Sequence, residues 1–292
     1  MDTGFPEEKD LQSKREGDRL YGPAIGDNAL GRLAGLLAVA RKVAARPLAG
    51  EVWVISTIGK EGLGNLLGMR EIVKRLGGRV TGYLALEGSA LGRIGVKGIG
   101  ARRIRIRVEG PAGHAWSHRG RPSLIHGLAE IAAEVVRLRL PRQPPASINI
   151  GTVRGGIGIN AIAPEAKMTV DLRCENAETL DRLEARLREI RSTHQGKGFR
   201  ISLDLIGERP AGAIAPLHPL VRAAGRTGAG HELGAGSTDA NVPLGLGLPS
   251  LCVGPSKGGE APTPQEFIER PPRKPRLRFL FLLLREAFSG PP

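Results

Sequence analysis

Three acidic residues stand at the ends of elements read from the sequence. Asp27 precedes a predicted helix in Gly22-Pro23-Ala24-Ile25-Gly26-Asp27-Asn28. Glu61 follows a predicted strand in Gly59-Lys60-Glu61-Gly62, and Glu87 follows another in Leu84-Ala85-Leu86-Glu87-Gly88. In parallel α/β sheets, sites form beyond the carboxyl ends of the strands. Carboxylates placed there, flanked by glycines that allow close approach, suit a cation, because hard cations take oxygen ligands. From spacing alone, a helix cap or a solvated loop acid is the preferred explanation of each of the three. His114 ends the run Gly110-Pro111-Ala112-Gly113-His114. A single histidine after a strand is ordinarily a surface residue, and only its context raises it to a candidate.

The elements that must position these residues follow from periodicity. Residues 30–45 carry apolar side chains at helical spacing. Residues 51–57 are β-branched and apolar, which predicts a strand stopped by Gly59. Residues 63–76 predict a helix ended by Gly77-Gly78, and residues 80–86 a second strand. Strand, helix and strand in this order imply a parallel sheet covered by helices. The middle of the chain differs. Residues 102–108 alternate, with Ile104, Ile106 and Val108 on one face. A helix over 124–140 follows, then strands over 147–153 and 167–173. A helix over 177–191, with Asn176 as its N-cap, and a strand over 199–205 complete the segment. The order β-α-β-β-α-β is the ferredoxin-like pattern. Beyond it, residues 220–226 predict a helix, 249–253 a strand and 276–288 a helix. The fold class is therefore α/β, with a small ferredoxin-like α+β domain (95–206) inserted between two parts of a larger α/β domain (1–94 and 207–292).

Bulk properties bound what this architecture can do. A chain of 292 residues is long for one core, so two domains are expected. Apolar residues make up 40%, enough for a packed interior, and aromatics only 3%, so packing rests on Leu, Ile, Val and Ala. The net charge of +14 could draw nucleic acid. The arginines are dispersed and few aromatics can stack on bases, which argues against that partner. Cys174 and Cys252 form no Cys-x-x-Cys pair and imply no disulfide framework, which fits a reducing cytoplasm. Residues 1–10 are too acidic and polar for a signal peptide, and the apolar run 279–284 is too short to span a bilayer, so no membrane partner is expected.

Several motifs in combination resemble one family. They are Tyr21-Gly22-Pro23 leading to Asp27-Asn28, Gly59-Lys60-Glu61-Gly62-Leu63-Gly64, Gly110-Pro111-Ala112-Gly113-His114, Gly155-Gly156 leading to Asn160-Ala161-Ile162, Asp171-Leu172-Arg173, and Ser237-Thr238-Asp239-Ala240-Asn241. Together they resemble the dinuclear-zinc metallopeptidase and aminoacylase family that includes carboxypeptidase G, aminoacylase, acetylornithine deacetylase and peptidase T. The resemblance implies a catalytic α/β domain, incomplete here at its N-terminus, with the ferredoxin-like domain as a lid through which the chain forms a homodimer. It implies hydrolysis of an amide bond in a peptide or N-acyl amino acid, two zinc ions per subunit, and a small carboxylated substrate. By motif, Asp27 matches the acid that bridges the two metals, and Glu61 and Glu87 match further metal ligands. Asp2 matches the residue that orients a ligand histidine. His114 matches a residue that stabilises the oxyanion in the partner's site, and Asn160 one near the same oxygen. Arg209 matches an arginine that grips a substrate carboxylate, and Gly236 offers a backbone contact to substrate.

Three departures from that pattern shape the expectation. The resemblance places a zinc-binding histidine one position ahead of Met1. Lys60 occupies the position of the glutamate that serves as general base, and an ammonium accepts no proton. Pro262 falls where the last zinc histidine is expected, in Gly258-Gly259-Glu260-Ala261-Pro262-Thr263. The remaining ligands are all oxygen, a set that favours Mg²⁺, Mn²⁺ or Ca²⁺ over zinc. The expectation is weak or absent zinc binding and little hydrolysis. The alternative is a dimeric binding or scaffold protein without turnover. Lys60 could instead offset part of the charge of the converging carboxylates.

Overall fold

The structure is a computed structural model. It describes residues 12–23, 25, 39–41, 43, 45, 48, 50–87, 91, 93–227, 233–254, 257–260, 263, 265–269 and 273–288, with side chains left aside over 273–278. The chain forms two compact units. One comprises Met1–Gly98 and Gly212–Pro292, the other Ile99–Ala211.

In the first unit, the opening part carries β1 (Lys14–Glu16), β2 (Arg19–Tyr21), α1 (Leu67–Leu76), β3 (Tyr83–Leu86) and β4 (Ile94–Gly98). The second unit carries β5 (Gly100–Glu109), β6 (Gly113–His114), α2 (Leu124–Val136), β7 (Ala146–Gly155), β8 (Ala161–Ile162), β9 (Glu165–Cys174), α3 (Ala177–His194) and β10 (Arg200–Arg209). The chain then returns to the first unit with β11 (Gly212–Ala213), α4 (Pro219–Arg226), β12 (Leu233–Gly236), α5 (Asn241–Gly245), β13 (Ser250–Val253), β14 (Gly258–Gly259), β15 (Phe267–Glu269) and α6 (Arg273–Phe288).

The second unit follows its periodicity closely. Its antiparallel sheet has the order β10-β5-β9-β7, which is the ferredoxin-like order. Alternation along β5 and β9 sends Ile104, Ile106, Val108, Met168, Val170 and Leu172 into one core. Leu124, Leu128, Ile131 and Val135, spaced at helical turns on α2, pack onto the same side. Asn176 caps α3, its side-chain oxygen accepting from the Thr179 N–H at 2.8 Å. α2 ends at Val136, four residues earlier than the apolar pattern suggested. The Arg137 N–H closes the helix on the carbonyls of Ala133, Glu134 and Val135.

In the first unit, the sheet pairs β11-β4-β13-β3 in that order, and β12 also pairs with β4. β13 is parallel to β3, and β12 to β4, but β13 and β11 are antiparallel to β4. The expected parallel sheet is thus a mixed one. Leu251, Val253 and Ile94 from its strands pack with Leu220, Ala224, Phe279 and Leu283 from α4 and α6. A separate small sheet has the order β1-β2-β15-β14.

Two other expectations change. Residues 51–57 are not a strand. Among the described residues no strand pairs with them, and Trp53, Val54 and Ile55 are exposed. β-Branched composition favours extension, but a strand needs a neighbour to complete its hydrogen bonds. The helix expected from residue 63 begins at Leu67, because Asn65 (φ 59°) and Leu66 (φ 60°) adopt the left-handed conformation immediately before it. The helix expected over 30–45 is helical at 39–41, 43 and 45, and its other residues lie outside the described residues.

Candidate functional site

The loop before α1 folds back on itself through glycine. Gly59 has φ +73°, a conformation that costs little only without a side chain. A Cβ on Gly64 would stand 2.5 Å from the Gly59 oxygen, so only glycine permits the approach. The Gly64 N–H donates to the Glu61 carbonyl at 2.9 Å, and the Gly68 N–H to the Ile58 carbonyl at 2.9 Å. Lys60 and Glu61 sit at the head of this turn. Glu87 comes from the end of β3, where its N–H donates to the Val253 carbonyl at 3.0 Å and extends the parallel pairing with β13.

Turn and strand end bring three charged side chains together. Lys60 Nζ lies 2.8 Å from Glu61 Oε1 and 3.4 Å from Glu87 Oε2. Lys60 is 8% exposed and Glu87 9%. Charges this buried persist only when paired. Of the three acids expected at a cation site, the structure therefore brings two together, and it puts an ammonium between them.

The same unit anchors a second motif. Thr57 Oγ1 donates to Asp239 Oδ2 at 2.6 Å. The Thr238 N–H donates to Asn241 Oδ1 at 2.7 Å, and the Ala240 N–H to Thr238 Oγ1 at 3.2 Å. Asn241 is fully buried, and a Cβ on Gly98 would meet its amide nitrogen at 2.9 Å. The Ser237-Thr238-Asp239-Ala240-Asn241 motif is thus a turn locked by its own side chains. Gly236 precedes it as the last residue of β12 and pairs with Gly98 of β4. Sequence reasoning missed Thr57 and Asp239 as partners. The Asp239 motif was visible, but nothing in the order of residues pointed it at Thr57.

In the second unit, the short pairing of β6 with β8 sets His114 opposite Ala161, and the Ala115 N–H donates to the Asn160 carbonyl at 2.8 Å. This places the Asn160 amide 3.4 Å from His114 Nε2. His114 Nδ1 accepts from the Trp116 and Ser117 N–H groups at 3.2 and 3.4 Å. Nδ1 is thus turned to the backbone and Nε2 to the Asn160 amide nitrogen. Both side chains are exposed. Arg209 closes β10 opposite Ala101 and is 6% exposed.

Asp2, Asp27, Pro262 and His231 lie outside the described residues. His218 is engaged elsewhere: its Nδ1 accepts from the Leu220 N–H at 3.1 Å and caps α4. Among the described residues no group of three His, Cys, Asp or Glu side chains converges as a metal site. The donor set itself fits a divalent metal poorly. Glu61 and Glu87 are already bridged by Lys60, and a dication about 4 Å from that ammonium would be repelled by about 8 kcal/mol at an effective dielectric of about 20.

Residues 86–198 match the family model of the M20 peptidase dimerisation domain. A Schizosaccharomyces pombe protein described as containing an M20 peptidase domain is 27% identical over 171 residues, covering 56% of this chain and 42% of that protein. The chain thus spans less than half the length of this curated relative. A solved tripeptidase of Staphylococcus aureus is similar with a TM-score of 0.78 at 18% identity, covering 96% of this chain and 77% of that one. A Bacillus subtilis protein described as a dinuclear metal-binding peptidase of the M20 family is similar with a TM-score of 0.66 at 18% identity, covering 89% and 72%. At such identity the structural likeness establishes the fold alone, an α/β domain with an inserted ferredoxin-like domain. By sequence, residues 86–198 are similar to the M20 peptidase dimerisation domain, and the chain is similar to a curated protein that contains an M20 peptidase domain.

Proposed function

We propose that this chain is a peptidase or amidohydrolase by lineage, directed at an amide bond of a peptide or N-acyl amino acid, and impaired in hydrolysis. The observation that carries this reading is Lys60. At the position of the general base stands an ammonium, held by Glu61 and Glu87 at 2.8 and 3.4 Å. A cation so engaged has no lone pair for the proton of an attacking water. In this reading Asp27, Glu61 and Glu87 are the remnants of a two-zinc site, with Asp2 beside it, and zinc or another divalent cation binds weakly. The protein acts as a cytoplasmic homodimer through its ferredoxin-like unit. Among the described residues no helix is long and apolar enough to cross a membrane.

The pair His114 and Asn160 favours a second reading, a dimeric binding protein without turnover. An exposed imidazole beside a carboxamide N–H group is suited to a carbonyl or carboxylate oxygen. Arg209 would add a guanidinium for a carboxylate. One experiment separates the readings. A panel of dipeptides and N-acetyl amino acids is assayed for hydrolysis with and without Zn²⁺ or Mn²⁺, and the same compounds are titrated by calorimetry. Slow or absent turnover supports impairment, and saturable binding lost in His114→Ala supports the binding protein. Turnover at the rate of an intact peptidase, about 10 s⁻¹, would overturn both.

A further inference from the structure

We infer that Lys60 is a built-in counter-ion, occupying with its own ammonium the place between Glu61 and Glu87 that a divalent cation would need. The inference rests on the proposed assignment of Glu61 and Glu87 as site acids, and concerns what neutralises them. Three observations carry it. The ammonium contacts both carboxylates, which belong to different elements, a glycine turn and the end of β3. It is buried: its side chain is 10% exposed, beside carboxylates at 19% and 7%. The turn that carries it is fixed by the close approach of Gly64 to Gly59, so the charge is delivered by the backbone.

The chemistry differs from that of a metal. A divalent ion must be taken from solution and stripped of water, and its site stands empty when the ion is scarce. A lysine ammonium is tethered, offers three N–H donors, and is always present. Two carboxylates, one buried and one half-buried, that would repel one another without metal are thereby held together permanently. The site then needs no divalent cation to stay folded, and the same lysine keeps such a cation out.

The test compares wild type with Lys60→Met, which keeps the stem and loses the charge, and with Lys60→Arg, which keeps a cation. Each full-length protein is melted in EDTA, then titrated in turn with zinc and manganese chloride by calorimetry and thermal shift. Wild type and Lys60→Arg are expected to melt alike in EDTA and after metal addition. Lys60→Met is expected to melt at least about 5 °C lower in EDTA. It should then recover with metal, binding one equivalent at least about 100-fold more tightly than wild type. That gain should vanish in the double variant Lys60→Met/Glu61→Gln, which separates this site from surface ligands. A Lys60→Met protein that gains no metal overturns the inference. Should Lys60→Met not fold, wild type still decides. An equivalent of metal bound with Lys60 present and lost in Glu61→Gln overturns the inference, and its absence supports it. None of these readouts depends on turnover, so their failure is distinct from failure of the hydrolase reading.

Discussion

His194 of α3 and Glu134 of α2 meet across the helical layer of the ferredoxin-like unit, Nε2 to Oε1 at 2.7 Å, with the imidazole only 2% exposed. Glu130 and Lys197 flank the ring's other nitrogen at 3.6 and 3.4 Å. A buried ring held this way ties the end of one helix to the last turns of the other. In a double-mutant cycle of His194→Ala and Glu134→Ala, read by urea unfolding, the coupling should fall at about 1–2 kcal/mol. A coupling near zero would mean that the contact does not link the helices.

Asn176→Ala should destabilise the same unit by about 1 kcal/mol, because the Thr179 N–H loses its acceptor at the start of α3. Asn176→Asp should be nearly neutral, since a carboxylate accepts the same bond and favours the helix N-terminus. Chemical unfolding of the two variants checks the pair.

Thr57→Val removes the hydroxyl that donates to Asp239 at 2.6 Å while keeping the shape of the side chain. Hydrogen bonds to charged groups contribute about 1.5–3 kcal/mol, and a loss in that range is expected from unfolding curves. Thr57→Ser should retain most of it.

Tyr83 gives a pH signature. Burial raises its phenol above the usual value of 10.0, with the nearby Arg79 pulling the other way. Its hydroxyl donates to the Gly77 carbonyl at 2.7 Å. The folded state therefore holds this proton more tightly than the unfolded one. The stabilisation is fully present below pH 10 and is lost as pH rises through the folded value. Absorbance of the phenolate on alkaline titration should show a phenol ionising late, and Tyr83→Phe should abolish that late phase.

The sequence revealed the ferredoxin-like unit well because its signals are local and agree with one another. Ile104, Ile106 and Val108 alternate, Leu124, Leu128, Ile131 and Val135 repeat at helical spacing, and Asn176 caps. The first unit was harder to read, since its strands depend on partners far along the chain. Residues 51–57 have the composition of a strand but no ladder among the described residues, and β3 is completed by β13. At the site, motif likeness singled out Lys60, Glu61 and Glu87, and the charge-offsetting role of Lys60 could be stated from charge alone. That Lys60 would contact both acids depended on a glycine turn meeting a strand end, which no local pattern encodes. Thr57 went unnoticed for the same reason.

β5 and β10, the first and last strands of the second unit, lie side by side, with Ala101 opposite Arg209. The unit thus begins and ends at one place. A segment built this way can enter or leave a host chain as a single piece, because its two ends ask the host to bridge almost no distance. Expressed alone as residues 99–211, it would carry its whole core with it, and a short linker could close the gap that its removal leaves behind.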